Sequence, residues 1–243
     1  RWLDEGLVDL MAVSDYFQLS PWQESVALGH RYGVPVYAGL SESRIRGDAG
    51  KQRNRLEVYR ARALNAWNAG VDGIYTFNLF WKPDHAVWRE LGDPEVLRRM
   101  DKMYYVAYRG PSYAGIYLKD GERFVHIPTL CPERPVTVKA GQPQATTLTV
   151  GDDLAAAQAA GLKPDLRLCL QVDKLTAMEE LVVKLNGQVL AEGMLAEDWI
   201  EYRPAPDLVK LGDNVVEMSV APDSGDAPVI QDLQLRVSFG KSP

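Results

Sequence analysis

The chain has 243 residues, 46% hydrophobic and 25% charged, a composition normal for a soluble globular protein and long enough for one large domain or two ordinary ones. Its net charge of −6 argues against a nucleic-acid backbone as the main partner. No apolar run approaches the roughly 18 residues of a membrane span, and no charged-then-apolar signal segment opens the chain. The sequence starts on Arg1-Trp2-Leu3 instead of Met, so a processed form, a cut chain or a fragment is expected.

Residues 1 to about 110 alternate helical patterns with short apolar runs. In "SPWQESVALGHRYG" (20–33), Ser20 reads as an N-cap, Pro21 as the first helical residue and Gly33 as the residue after the last turn. In "KQRNRLEVYRARALNAWNAG" (51–70), Leu56, Tyr59, Ala63 and Trp67 fall on one helical face, and Gly70 ends the pattern. In "GDPEVLRRMDKMYYVAY" (92–108), Asp93 is placed to cap a helix carrying Leu97, Met100, Tyr104 and Tyr108 at helical spacing.

Between these helices a phrase recurs. "GLVDLMAVSDY" opens at Gly6, "GVPVYAGLSES" at Gly33 and "GVDGIYTFNLF" at Gly70. Each has a glycine fit to cap the preceding helix, then an apolar strand, then a polar residue eight positions on: Ser14, Ser41 and Asn78. Near-continuous apolar strands alternating with helices predict a parallel sheet covered by helices. Three such units are too few for a closed eight-stranded barrel.

From about residue 112 the pattern becomes strand-like: 123–130, 134–140, 145–151, 166–172, 180–190, 199–204, 214–221 and 230–239. Asn186-Gly187 predicts a tight type I′ hairpin. Alternation places Leu233, Leu235, Val237 and Phe239 on one face. "DDLAAAQAAG" (152–161) reads as a short helical insert. The expected architecture is therefore α/β plus all-β. An α/β region over residues 1–111 precedes an antiparallel, jelly-roll-like β-sandwich over 112–243.

Cys131 and Cys169 are the two cysteines, and neither belongs to a CxxC pair. Two buried thiols are favoured over a disulfide. No aspartate-rich loop marks a calcium site, so neither a metal nor another cofactor is expected.

In parallel α/β folds, ligands bind beyond the C-terminal strand ends. Those ends carry Ser14-Asp15-Tyr16, Ser41-Glu42-Ser43-Arg44 and Asn78-Leu79-Phe80-Trp81. Carboxylates at two ends and an indole at the third suit a carbohydrate, because aromatic faces stack on sugar rings and carboxylates bind hydroxyls or act as acid, base or nucleophile. Each residue has a plainer reading beside this one. Glu42 can pair with Arg44 or Arg46, Asp15 and Tyr16 can close the strand end, Asn78 can cap its turn, and Trp81 can pack under a loop. Asp84-His85 resembles an acid/base pair, but Asp84 fits an N-cap better. The basic stretch 43–55 reads as a mobile loop whose arginines can meet an acidic sugar. His30 and His126 stand alone in the sequence, and Trp199 and Tyr202 are the aromatics of interest in the β region.

"GLVDLMAVSDY", "GVDGIYTFNLFW" and "LGDPEVLRRMDKMY" resemble phrases from bacterial glycoside-hydrolase-like (β/α)8 barrel proteins, which often carry a β-sandwich behind the barrel. The resemblance implies that residues 1–111 are the last three βα units of such a barrel. Carried over by position, it makes Glu42 the retaining-type catalytic nucleophile and Trp81 the aromatic wall of the sugar site, with Asp15, Tyr16 and Asn78 as further substrate-binding candidates. The acid/base carboxyl, expected about 5 Å from the nucleophile, would lie outside this sequence. The implied partners are carbohydrate and either a missing N-terminal barrel segment or a second copy of the chain. The implied location is secreted or periplasmic. The competing expectation is a non-catalytic carbohydrate-binding or structural module.

Overall fold

The computed structural model describes residues 1–15, 18–110, 114–175, 177–222, 225 and 227–240, without the side chains of 115 and 116. The chain forms two compact units: residues 1–97 with 111–127, and residues 98–110 with 128–243.

The first unit is α/β. In order it contains β1 (Met11–Ser14), α1 (Trp22–Arg31), β2 (Val36–Ser41), α2 (Gly47–Arg53), α3 (Leu56–Asn68), β3 (Gly73–Phe77) and the short helices α4 (Val87–Glu90), α5 (Pro94–Leu97) and α6 (Ala114–Tyr117). The three strands pair in parallel in the order β1-β2-β3, with Met11 opposite Val36 and Ala38 opposite Ile74. Met11, Val13, Val36, Ala38, Leu40 and Ile74 share the face that packs on helical side chains, chiefly Val26 of α1 and Tyr59, Ala63, Leu64 and Ala66 of α3. Burying a side chain of this size stabilises the fold by about 1.5–3 kcal/mol, so this face holds the layers together. The opposite face is less covered: Tyr75 is 48% and Phe77 39% exposed.

Several local expectations change here. The run 51–70 is two helices, because Asn54 ends α2 and its side-chain oxygen accepts the Ser43 N–H at 2.7 Å. Asparagine competes well for such backbone donors at helix ends. The stretch 43–55 is no mobile loop: most of it is helical, and Arg53 is fully buried. Helix α1 starts at Trp22 behind Pro21, with no side-chain cap from Ser20. At α4 the Val87 N–H donates to Nδ1 of His85 at 3.1 Å, so His85 takes the role expected of Asp84. Asp93 does cap α5, accepting the Glu95 N–H at 2.9 Å.

The second unit is built from β4 (Lys102–Tyr105), β5 (Val136–Thr137), β6 (Gln144–Val150), α7 (Leu154–Ala159), β7 (Asp165–Asp173), β8 (Leu181–Leu185), β9 (Gln188–Val189), β10 (Met194–Ala196), β11 (Trp199–Tyr202), β12 (Gly212–Val220) and β13 (Val229–Ser238). Its strands form two antiparallel sheets. One has the order β10-β11-β7-β13-β4, with β5 also on β13; the other runs β6-β12-β8-β9. Asn186 and Gly187 both take positive φ, 52° and 87°, between β8 and β9, as a type I′ hairpin requires. Leu233, Leu235, Val237 and Phe239 are buried as the alternation predicts, but Asp232 and Gln234 on the other side of β13 are buried too.

The helix expected over 92–108 stops at Leu97, and Lys102–Tyr105 is a strand against β13, with Tyr104 opposite Leu235. All four residues of β4 are buried, and Lys102 and Tyr104 both reach Asp152. Pairing and a buried counter-charge outweigh a helical periodicity that binds nothing at that place. The strand expected over 123–130 is instead a single tight turn, Gly121–Phe124, followed by irregular chain. Cys131 and Cys169 are both buried free thiols, and burial pushes the Cys169 thiol up to about 11. That makes it a poor nucleophile.

Candidate functional site at the ends of three parallel strands

Asp15 follows β1 directly, Glu42 follows β2, and Trp81 lies four residues past β3. Parallel pairing therefore brings all three connections to one edge of the sheet. Tyr16 lies outside the described residues.

Asp15 is only 8% exposed, and its carboxylate is held from two sides. The Ser41 hydroxyl donates to it at 2.9 Å, and the guanidinium of Arg62, from α3, pairs with its other oxygen. Arg62 in turn lies over the Tyr59 ring, 4.8 Å from its centroid. Tyr59 meets Trp81 edge-on at 5.2 Å, and Trp81 meets His85 edge-on at 4.1 Å. Thus a chain of contacts runs from the end of β1 to the loop after β3.

Glu42 is half-buried at the start of the loop after β2, next to the fully buried Ser41. Burial pushes the Tyr59 phenol above its usual range; Arg62 opposes this, while the negative charges of Glu42 and Asp15 add to it. Those couplings place Glu42 electrostatically within the same cluster. A protonated phenol is a hydrogen-bond donor, the form useful beside a carboxylate or a sugar hydroxyl.

Asn78 is exposed, with a positive φ of 52°. This turn of the backbone sends Leu79 into the core, while Phe80 stands out at 85% exposure. Trp81 is partly buried and packs on the cluster of Leu40, Tyr59 and Leu64, so one edge serves the core.

Arg62 and Tyr59 are the participants that sequence reading passed over. Tyr59 was placed on the buried face of α3. Arg62, three residues on, shares that face, and a charge on a buried helical face calls for a partner. His30 has one as well: its Nε2 lies 2.8 Å from Asp72, at the opposite end of the strands. Among the described residues no group of three or more His, Cys, Asp or Glu side chains is arranged to hold a metal ion. No described helix is long and apolar enough to cross a membrane.

The β unit has a groove of about 390 Å³ between residues 188–192 and 202–208. Tyr202 lines it but is buried; Trp199 is half-buried on β11.

No family model matches the chain, and no curated protein does. Among solved structures it is similar to a β-porphyranase of glycoside hydrolase family 86 from the human gut bacterium Bacteroides plebeius. That match has 17% identity and a TM-score of 0.32, and covers 58% of this chain and 21% of that one. Wild-type BuGH86 in complex with neoagarooctaose matches at 10% identity and a TM-score of 0.34, over 56% of this chain and 18% of that one. A glutamate-to-glutamine variant of BuGH86 with the same ligand gives 10% identity and a TM-score of 0.33 over the same shares. The chain thus spans about a fifth of the length of these structures. At such scores, fold and chemistry have to be argued from the chain's own residues.

Proposed function

We propose that the α/β unit is the last part of a glycoside-hydrolase-like barrel that acts on carbohydrate, with the β unit an appended sandwich. In this reading Glu42 is the retaining-type nucleophile, Trp81 a wall of the sugar site and Asn78 a binding residue at its rim. The acid/base is a second carboxyl outside this chain. The observation that carries the reading is Glu42: a half-buried carboxylate at a parallel strand end, joined electrostatically to Tyr59, which itself touches Trp81. Asp15 fits a positioning role better than direct contact with sugar, since Ser41 and Arg62 already hold it.

Strands β1 and β3 each have one strand neighbour among the described residues, and Tyr75 and Phe77 are exposed on the face away from the helices. Parallel sheets are normally covered on both faces. A further barrel segment, or a second copy of this chain, would cover this face and supply the missing carboxyl. An exported location belongs to the same reading.

The test is binding across a glycan panel by this chain, and cleavage by the chain completed with the barrel segment or second copy that supplies the acid/base, each as wild type, Glu42→Gln and Trp81→Ala. Cleavage lost in Glu42→Gln with binding kept supports the nucleophile. Unchanged cleavage in that variant overturns it. Binding that survives Glu42→Gln but fails in Trp81→Ala, with no cleavage by the completed wild-type assembly, favours a non-catalytic binding module. The groove beside Tyr202 gives that second reading another place to bind sugar.

A further inference from the structure

Of the six asparagines in the chain, Asn186 is the one followed by glycine. With no Cβ beside it, a glycine amide nitrogen is the least shielded nucleophile that an asparagine carboxamide can meet. In a flexible chain such a pair reacts with itself. The Gly187 nitrogen gives its proton to solvent base and bonds to Asn186 Cγ, and the Cγ–Nδ2 bond breaks to release ammonia. Water then opens the five-membered imide. Cleavage between Cγ and the Gly187 nitrogen leaves aspartate. Cleavage between the Asn186 backbone carbonyl carbon and that nitrogen leaves isoaspartate, with the main chain routed through the side chain.

The fold holds this carboxamide by both polar atoms. Its Nδ2 donates to the Leu208 carbonyl and to Asn214 Oδ1, each at 2.8 Å, and its Oδ1 accepts the Val215 N–H at 3.0 Å. Asn214 is buried and cannot turn its own amide to suit a different neighbour. Its Oδ1 also accepts the Lys210 N–H at 2.8 Å, and its Nδ2 donates to the carbonyls of Lys210 and Gly212 at 2.8 and 3.0 Å. The backbone is fixed as well: the Asn186 N–H donates to the Val215 carbonyl at 2.8 Å, and φ is 52°. Ring closure has to swing the carboxamide toward Gly187 and move ψ away from the roughly +30° of a type I′ first position, which breaks these contacts. After conversion to aspartate, a carboxylate oxygen stands where Nδ2 stood, against two acceptors, and a buried acceptor facing acceptors is costly. Leu208 lies in one wall of the groove whose other wall, residues 188–192, follows the hairpin directly.

We propose that Asn186 is a site of spontaneous deamidation guarded by the fold. It stays intact while the hairpin is clasped to Leu208 and Asn214, and converts to aspartate or isoaspartate when β8 and β9 open. The converted chain cannot rebuild the clasp, so the two walls of the groove lose their tie. The hairpin thereby keeps a one-way chemical record of unfolding. This reading is independent of any carbohydrate role.

The test incubates the 243-residue chain at mildly alkaline pH, in native buffer and in urea, and follows the Asn186 peptide by mass spectrometry with the isoaspartyl form separated by chromatography. Conversion is expected to be at least about tenfold slower in the folded chain, because opening of the paired strands limits it. Asn214→Ala, its fold checked by circular dichroism, leaves Nδ2 one acceptor and should convert faster than wild type in native buffer but at the same rate in urea. The encoded product, Asn186→Asp, should unfold at a lower urea concentration than wild type. Equal rates in native buffer and urea overturn the guarding role. An unchanged native rate in a folded Asn214→Ala overturns the part assigned to the clasp. A wild-type unfolding midpoint in Asn186→Asp overturns the claim that conversion cannot be undone by refolding. If Asn214→Ala does not fold, the wild-type rates and the Asn186→Asp midpoint still decide.

Discussion

Two buried ion pairs, one in each unit, show how different two similar contacts can be. In the α/β unit, Asp15 pairs with Arg62 and accepts from Ser41 at the strand ends, next to the half-buried Glu42. In the β unit, Lys102 lies 3.0 Å from Asp152, the Tyr104 hydroxyl donates to the same carboxylate at 2.9 Å, and Lys102 also donates to the Met100 carbonyl at 2.6 Å. The second cluster is sealed: both charged side chains are almost wholly buried, and the Phe239 ring lies 5.0 Å from the ammonium. It fastens β4 and offers nothing to a ligand. The first is connected, through Arg62, Tyr59 and Trp81, to a row of side chains that reaches solvent. A buried charge is therefore a functional hint only where its neighbours lead outward.

The sealed pair offers the largest effect. Asp152→Ala strands an ammonium in the core and should cost about 3–5 kcal/mol in denaturant unfolding, whereas replacing both partners by apolar residues should recover most of it. A loss under about 1 kcal/mol would mean the pair is not what holds β4. Arg62→Leu should cost less, about 2–3 kcal/mol, since Asp15 keeps the Ser41 hydroxyl. It should also disturb glycan binding, which Asp152→Ala should affect only through stability.

Glu42→Gln should change stability by no more than about 0.5 kcal/mol, as a half-exposed surface substitution does, while removing cleavage in the proposed mechanism. A large loss of stability would make Glu42 a structural residue and weaken the contrast.

The smallest effects are in the pH dependence, and they run in opposite directions. Burial holds Asp152 above its ordinary 3.8, with Lys102 opposing. Its contribution is therefore full below 3.8 and is lost as pH rises through the folded value. Asp72 is held below 3.8 by the Val36 N–H first and then by His30. Its contribution is present above 3.8 and lost as pH falls through the folded value. In equilibrium unfolding, Asp72→Asn should thus flatten the acid limb of the stability curve and Asp152→Asn should steepen it. Shifts of the same sign would refute the assigned causes.

Much of the first unit was legible because its signals are local. Gly33 and Gly70 after helices, together with the apolar runs, marked three strands in the right places, and the strand ends followed from parallel connectivity. The face of α3 was legible too, through Tyr59 and Ala63. Arg62 was not, since its meaning depends on Asp15, 47 positions away in sequence. In the second unit, alternation located β6, β7, β8, β11, β12 and β13, and Asn186-Gly187 fixed a hairpin. The three residues of β10 carry no such signal: all are exposed.

By itself, the sequence determined where the three parallel strands and most strands of the second unit lie, β4 and β10 excepted, and which polar residues follow the parallel ones, because periodicity and turn chemistry act over a few residues. Tertiary structure decided that Lys102–Tyr105 is a strand and not a helix, that Asp15 is held by Arg62, and that Tyr59 meets Trp81 edge-on. Each of those outcomes depends on partners distant in the chain. Pairing with β13 and a buried carboxylate outweigh the few tenths of a kcal/mol per residue, about, that local helix preference supplies.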